Sequence, residues 1–220
     1  MVSQPRWSVN EASSNIVVWG VGTPRTLRVH WALHELSLKY RIEAIYTRTP
    51  AMEREDFMRV SPGSKIPGFQ HGRLRITESG AITRYLMDTF SPQQWSPVER
   101  TEINRWIFFV LTELDATALY VIRRHAGLPE IYGEAPLAVS SAYAYAERSL
   151  AVLEDLFSDG RHYLVGDMFS EADIHLGTCL DWAEVVEIQT PAGLTVYHKR
   201  LCARAAYQDA RLANGKPLGS

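Results

Sequence analysis

The sequence predicts an α/β domain followed by an all-α domain, and three observations support this fold class. Short β-branched runs alternate with helical patterns as far as residue 90, whereas almost no strand pattern follows residue 98. Between them, residues 91–97 combine serine with proline, as linkers often do. The expected divisions are a leader at 1–14, an α/β domain at 15–90, a linker at 91–97, an all-helical domain at 98–212 and a tail at 213–220.

The first predicted elements form a β-α-β unit. The run NIVVW at residues 15–19 ends at Gly20 and precedes a helical, heavily apolar pattern at residues 25–39. Alternation of polar and apolar residues at 41–46 then predicts a second strand. Because only one helix connects the two strands, a parallel pair with a right-handed crossover is expected.

The remainder of the first domain adds two helices and two strands. A short helix at residues 52–60 is followed by strands at 66–70 and 74–77 and by a helix at 78–90. His71-Gly72 is the predicted turn between the last two strands. The predicted order is therefore β-α-β-α-β-β-α.

Helical patterns fill the second half of the chain. They predict a long helix at 99–125, a loop at 127–136, helices at 137–157 and 171–187, and a last helix that starts at Thr190-Pro191.

Composition excludes several classes of function. The 220 residues carry a formal net charge of -2, whereas a nucleic-acid-binding surface normally brings an excess of lysine and arginine. No apolar run approaches the ~20 residues of a membrane span, and residues 1–14 contain no secretory signal. Cys179 and Cys202 form no CxxC pair, so we expect free thiols in a reducing, cytoplasmic compartment and no metal site.

Two short motifs carry the most chemical information. Pro67 opens a strand and is expected to be cis, which would turn the main chain of Ile66 outward to pair with a bound peptide. Glu78 and Ser79 stand where a strand ends and a helix begins, and a helix N-terminus attracts a carboxylate. The Glu78 side chain could also hold an ammonium group. Together these features suit a short peptide with a zwitterionic end.

The combination resembles the cytosolic glutathione transferases, which place a cis-proline before their third strand and a Glu/Gln-Ser pair at the start of their third helix. The stretches RVHWALHEL at residues 28–36 and FSEADI at residues 169–174 resemble the same family. The resemblance implies a thioredoxin-like first domain, a helical-bundle second domain, glutathione as co-substrate and a homodimer. It also implies that Ile66 bonds the cysteinyl part of glutathione, and that Glu78 and Ser79 bond the γ-glutamyl part.

A family member needs a group that keeps the glutathione sulfur ionised. One hydrogen bond to a charged group contributes about 1.5–3 kcal/mol, which is enough to lower a thiol pKa by one to two units. Thr23-Pro24 resembles the Ser-Pro or Thr-Pro of several members, so Thr23 is the predicted thiolate donor. Its hydroxyl could instead cap the following helix, and Thr26 or a main-chain N–H remain alternatives.

The far end of glutathione requires a cation for its glycyl carboxylate. Some members carry a lysine or histidine in the stretch where this chain has Met52 and Glu53. Lys65 or Arg54 is the predicted replacement.

The resemblance also implies a pocket for an apolar electrophile. Its candidate residues are Trp106, Phe109, Tyr120 and Arg123. The sequence leaves two alternatives to conjugation open: a glutathione-dependent disulfide or peroxide reductase, and a non-catalytic binding protein of the same fold.

Overall fold

The computed structural model describes residues 15–215, which fall into two units. Of these residues, the α/β unit holds 15–93 and 205–215, and the helical unit holds Gln94–Arg204. The predicted leader at 1–14 and most of the predicted tail lie outside the described residues.

The α/β unit contains the predicted β-α-β-α-β-β-α order and one further helix. Its elements are β1 Ile16–Trp19, α1 Pro24–Glu35, β2 Arg41–Glu43, a 3-10 turn Pro50–Glu53, α2 Glu55–Val60, β3 Gly68–His71, β4 Leu74–Thr77, α3 Ser79–Phe90 and α10 Ala205–Asn214.

A mixed sheet organises this unit. Its strand order is β2-β1-β3-β4, and β1 pairs with β2 in parallel, as the sequence predicts. β3 pairs in the antiparallel sense with both β1 and β4. The predicted turn at His71-Gly72 is displaced by one residue: His71 pairs with Leu74, and the two-residue loop is Gly72-Arg73. Gly72 supplies the positive φ of 58° that such a loop requires.

Helix α10 belongs to the α/β unit, although the sequence prediction extends the helical domain to residue 212. The predicted single last helix is interrupted after Cys202, and the chain resumes as α10 at Ala205. Tyr207 of α10 packs edge-on against the fully buried Trp31 of α1, with their ring centroids 4.8 Å apart. This aromatic contact fixes α10 to the face of α1.

The helical unit continues the chain from the linker. Its elements are α4 Pro97–Phe109, a π-helical segment Val110–Leu119, α5 Tyr120–His125, α6 Pro129–Tyr132, α7 Pro136–Phe157, α8 Glu171–Val185 and α9 Ala192–Cys202. The predicted all-α character is confirmed. Among the described residues, no helix combines the length and hydropathy needed to cross a bilayer.

Asp173 joins three segments of the helical unit. Its carboxylate accepts hydrogen bonds from the N–H of Ser170 (2.8 Å), the N–H of Leu164 (2.9 Å) and the hydroxyl of Tyr197 (2.7 Å). Ser170 and Asp173 form the N-terminal capping box of α8 that their Ser-x-x-Asp spacing predicts. This motif is therefore structural.

Candidate functional site

The pairing of the strands brings the predicted motifs to one end of the sheet. Gly68 of β3 lies opposite Trp19 of β1 on one side and opposite Thr77 of β4 on the other. Three segments therefore leave the sheet side by side: the loop that follows Trp19, the Ile66-Pro67 pair that precedes Gly68, and the Glu78-Ser79 pair that follows Thr77. Residues that are far apart in the sequence thus become neighbours through the sheet register alone.

The loop after β1 is fixed through its main chain. Gly20 N–H donates to the carbonyl of Glu43 (2.9 Å), and Val21 N–H donates to the carbonyl of Ile45 (3.0 Å). The ring of His30 approaches the Gly20 carbonyl through Nε2 (3.2 Å) and the Tyr40 hydroxyl through Nδ1 (2.9 Å). A carbonyl can only accept, so Nε2 carries the ring hydrogen and Nδ1 accepts from Tyr40. Burial lowers the pKa of His30 to about 4, which keeps this tautomer neutral.

Thr23 caps helix α1 with its side chain. Its Oγ1 accepts from the N–H of Thr26 (3.1 Å), and Thr26 Oγ1 accepts from the N–H of Thr23 (3.0 Å). Capping uses the lone pairs of the Thr23 hydroxyl, whereas stabilising a thiolate would use its hydrogen. The Thr23 Oγ1 also lies 3.0 Å from the Thr26 Oγ1, whose own hydrogen is directed at Asn214, so the Thr23 hydrogen points at Thr26. To stabilise a thiolate, this hydrogen would have to rotate away from Thr26, while the lone pair that caps the helix could stay in place. The Thr23 side chain is half-buried, so part of it faces open space.

Asn214, the last residue of α10, ties this loop to the far end of the chain. Its Oδ1 accepts from the hydroxyl of Thr26 (2.7 Å) and the N–H of Gly22 (3.2 Å). Its Nδ2 donates to the carbonyl of Thr23 (3.3 Å), and its own carbonyl accepts from Gly22 N–H (2.8 Å). Asn214 therefore holds the residues on both sides of the Thr23 side chain.

Ile66 packs directly against the β1 loop. A Cβ atom added to Gly20 would lie 2.5 Å from the Cβ of Ile66, so only glycine permits this approach. The Ile66–Pro67 peptide bond is cis, as the sequence predicts. Ser61 holds the preceding residue: its hydroxyl donates to the carbonyl of Lys65 (2.7 Å) and accepts from the N–H of Lys65 (3.1 Å). Within residues 15–215, the main chain of Ile66 makes no hydrogen bond.

The start of helix α3 has the properties of an anion site. Glu78 precedes the helix with a φ of 69°, a conformation that is uncommon for non-glycine residues and is enriched at functional sites. Its side chain is exposed and does not cap the helix. Ser79 is buried, and its Oγ accepts from Nη1 of the fully buried Arg28 (3.3 Å). Since Arg28 occupies a lone pair, the hydrogen of the Ser79 hydroxyl remains for another acceptor.

The two cations predicted for the glycyl carboxylate have different surroundings. Arg54 forms ion pairs with Asp56 (2.6 Å) and Glu43 (3.4 Å) and lies over the ring of Trp19. The ammonium group of Lys65 is exposed and makes no ion pair within the described part of the chain. Lys65 is therefore the more available cation.

The residues predicted for a second substrate all lie in the helical unit. Trp106 is only 4% exposed, and its ring contacts that of Phe109 at 5.6 Å between centroids. Tyr120 and Arg123 lie in α5 and are half-buried. The structure thus places Trp106 in the core of this unit and leaves the other candidates partly accessible.

Sequence reasoning missed three residues of this site. Arg28 and His30 interrupt the apolar pattern of α1, and a polar residue inside a buried stripe is itself a signal. Asn214 carries no comparable signal, because it lies in the predicted tail at 213–220.

Known proteins share both the sequence pattern and the fold. The profile of the glutathione S-transferase N-terminal domain matches residues 14–88, and that of the C-terminal domain matches residues 110–201. The glutathione S-transferase GST-4.5 of Xanthomonas campestris is 28% identical over 197 residues, which cover 86% of this chain and 94% of that protein.

Solved structures show the same similarity. A glutathione transferase family member from Pseudomonas fluorescens, with two glutathione bound, has a TM-score of 0.80 and 23% identity, and the match covers 90% of this chain and 92% of that one. The theta class glutathione S-transferase of Xanthomonas axonopodis, with glutathione bound, has a TM-score of 0.74 and 24% identity. The match covers 89% of this chain and 96% of that one.

Proposed function

The chain belongs to the glutathione S-transferase family and is a transferase, and we propose that it transfers the thiolate of glutathione to an apolar electrophile. The observation that carries this proposal is that the segments of Thr23, Ile66 and Ser79 lie at one end of the sheet. They are aligned because Gly68 pairs with both Trp19 and Thr77. The proposal assigns a separate part of the tripeptide to each of them.

The γ-glutamyl end of glutathione would bind at the start of α3. Its carboxylate meets the positive end of the helix dipole and the hydrogen of the Ser79 hydroxyl. The Arg28 guanidinium, buried behind Ser79, adds favourable charge at this point. The exposed Glu78 carboxylate would bind the α-amino group.

The cysteinyl part would pair with Ile66 as a short antiparallel strand. The N–H and carbonyl of Ile66 make no hydrogen bond within the described residues, so they are available for such a pair. Gly20 allows Ile66 to approach the Thr23 loop, which would bring the sulfur toward the Thr23 hydroxyl.

The glycyl carboxylate would bind Lys65. Arg54 would contribute less to binding this carboxylate, because its guanidinium already forms ion pairs with Asp56 and Glu43. The electrophile would contact the partly exposed candidates Phe109, Tyr120 and Arg123. Trp106 is buried and packs against the ring of Phe109.

Conjugation is proposed over disulfide exchange because the chain has only two cysteines, and neither lies in the α/β unit. The proposal also includes a homodimer, by resemblance to the family. A cytoplasmic location is proposed because neither Cys179 nor Cys202 forms a disulfide within residues 15–215.

Calorimetric titration with glutathione tests the binding site. Ser79→Ala should weaken binding by about 10-fold or more, since a hydrogen bond to a charged group contributes about 1.5–3 kcal/mol. Ser140→Ala, at an exposed position of α7, should bind as the unchanged chain does. Thermal unfolding of each variant would confirm that it folds. Equal affinity of the folded Ser79→Ala variant would contradict the site.

Lys65→Ala and Arg54→Ala form a second matched pair. The first should lower glutathione affinity several-fold and the second should leave it nearly unchanged. Turnover assays with a nitroaryl chloride and with a mixed disulfide then separate transferase from reductase activity. A chain that binds glutathione and turns over only the disulfide would refute the proposed conjugation.

A further inference from the structure

A group of potential metal ligands lies in the helical unit, where the proposed function does not use it. Asp181 belongs to α8, and His198 and Cys202 belong to α9. Because His198 and Cys202 are four residues apart in a helix, both side chains lie on the same face. One ligand atom from each of the three residues, which we call the Asp-His-Cys cluster, lies within 4.8 Å of the others.

The distances within the cluster are close to those of a tetrahedral metal site. Nε2 of His198 lies 2.8 Å from Oδ1 of Asp181, and Sγ of Cys202 lies 4.0 Å from the same oxygen. Metal bonds of about 2.0 Å to nitrogen and oxygen and about 2.3 Å to sulfur, at tetrahedral angles, separate N from O by about 3.3 Å and S from O by about 3.5 Å. Each distance would need to change by about half an ångström, which small side-chain rotations can provide.

The surroundings of the cluster suit a bound ion. The side chains of Asp181 and His198 are 18% and 15% exposed, and Cys202 is also half-buried. This partial burial strengthens electrostatic interactions while it leaves a path for an ion to enter. A thiolate, an imidazole and a carboxylate are the ligand types that zinc takes, whereas a thiolate disfavours magnesium and calcium.

We propose that Asp181, His198 and Cys202 bind one divalent transition-metal ion of the zinc type, with water in the fourth position. Binding displaces the proton of the Cys202 thiol and the proton that His198 Nε2 directs at Asp181, and both leave to solvent. The two negative ligands then balance the two positive charges of the ion. The metal joins α8 to α9 and so stabilises the helical unit.

Titration with cobalt(II) tests this proposal, because cobalt(II) replaces zinc and reports its ligands by absorption. The whole chain is used without an added histidine tag and without glutathione, whose thiol also binds metals. We expect one saturable equivalent, a thiolate-to-cobalt charge-transfer band in the near ultraviolet and the visible bands of tetrahedral cobalt. Zinc(II) should displace the cobalt and raise the melting temperature.

Two variants test the Cys202 and His198 ligands, and a third is their control. Cys202→Ala should abolish the charge-transfer band, and His198→Gln should weaken cobalt affinity by at least about tenfold. Cys179→Ala removes the other thiol and should leave the spectrum unchanged. Circular dichroism verifies that each variant folds. Absence of saturable binding to the unchanged chain, or a charge-transfer band that persists in Cys202→Ala, would overturn the proposal and leave Asp181 and His198 as an ion pair.

Discussion

At the scale of single residues, the hydroxyl of Thr23 has two separable roles. Its lone pairs cap α1, and its hydrogen is proposed to stabilise the glutathione thiolate. Thr23→Ala should therefore raise the pKa of bound glutathione by about one to two units, since the lost hydrogen bond is worth about 1.5–3 kcal/mol. The pH profile of kcat/KM with a nitroaryl chloride measures this shift.

The conservative variant separates catalysis from folding. Thr23→Ser keeps a capping hydroxyl, so its pH profile of kcat/KM should equal that of the unchanged chain. Thr23→Ala loses the cap and should also be about 1 kcal/mol less stable. If the pH profile of Thr23→Ala equals that of the unchanged chain, the thiolate donor is a main-chain N–H instead. The other predicted alternative, Thr26, is fully buried, and its hydroxyl donates to Asn214.

His30 makes a prediction about stability and pH. Burial lowers its pKa to about 4, below the 6.5 of an unfolded histidine. Between these two values the unfolded chain binds a proton that the folded chain does not, so stability falls as the pH falls through this window. The free energy of unfolding should fall by about 2–3 kcal/mol as the pH approaches the folded-state pKa of His30, about 4. His30→Gln can still donate to the Gly20 carbonyl but does not titrate, so urea unfolding across this pH window should show a smaller loss in that variant. Equal losses in both chains would exclude His30 as the cause.

At the scale of elements, α10 acts on the Thr23 loop through Asn214. Asn214→Ala would remove the Oδ1 acceptor of the Thr26 hydroxyl and the Nδ2 donor to the Thr23 carbonyl, and each such hydrogen bond contributes about 0.5–1.5 kcal/mol. Gly22 N–H keeps the main-chain carbonyl of residue 214, and the Thr26 hydroxyl keeps the Thr23 carbonyl. The Thr23 hydroxyl would also be less well positioned, so the pH profile of kcat/KM should shift toward that of Thr23→Ala. Glutathione affinity, which is assigned to Ile66 and Ser79, should change little.

A control on the same helix isolates this effect. Leu212 is 81% exposed, so Leu212→Ala should leave both stability and the pH profile unchanged. A shift of similar size in both variants would mean that α10 acts through its overall packing and not through Asn214.

The sequence predicts the motifs of the α/β unit better than the contacts between distant elements. Pro67 and Ser79 each stand at a strand boundary, so their signals are local and the sheet register then brings them together. Asn214 bonds to a residue 188 positions earlier, and no local pattern specifies that pairing. The Asp-His-Cys cluster was missed for the same reason, because Asp181 joins the i, i+4 pair on α9 only through packing of two helices.

At the scale of the whole molecule, the α/β unit is built from two separate parts of the chain. The helical unit, Gln94–Arg204, is inserted between them in the sequence. Trp31 is fully buried and Tyr207 is 2% exposed, and their contact belongs to the core that the two parts share. The predicted domain at residues 15–90 therefore lacks a helix that the structure groups with it.

This organisation predicts how fragments of the chain behave. A fragment of residues 1–93 should be less stable, by at least about 3 kcal/mol, than the same fragment joined through a flexible glycine-serine linker to residues 205–220, because removing a buried aromatic contact costs about that much. Urea unfolding followed by tryptophan fluorescence compares the two. Tyr207→Ala in the joined fragment should remove most of the gain, since it deletes the ring that packs against Trp31. If residues 1–93 alone are as stable as the joined fragment, α10 is an appendage of the α/β unit and not a part of its core.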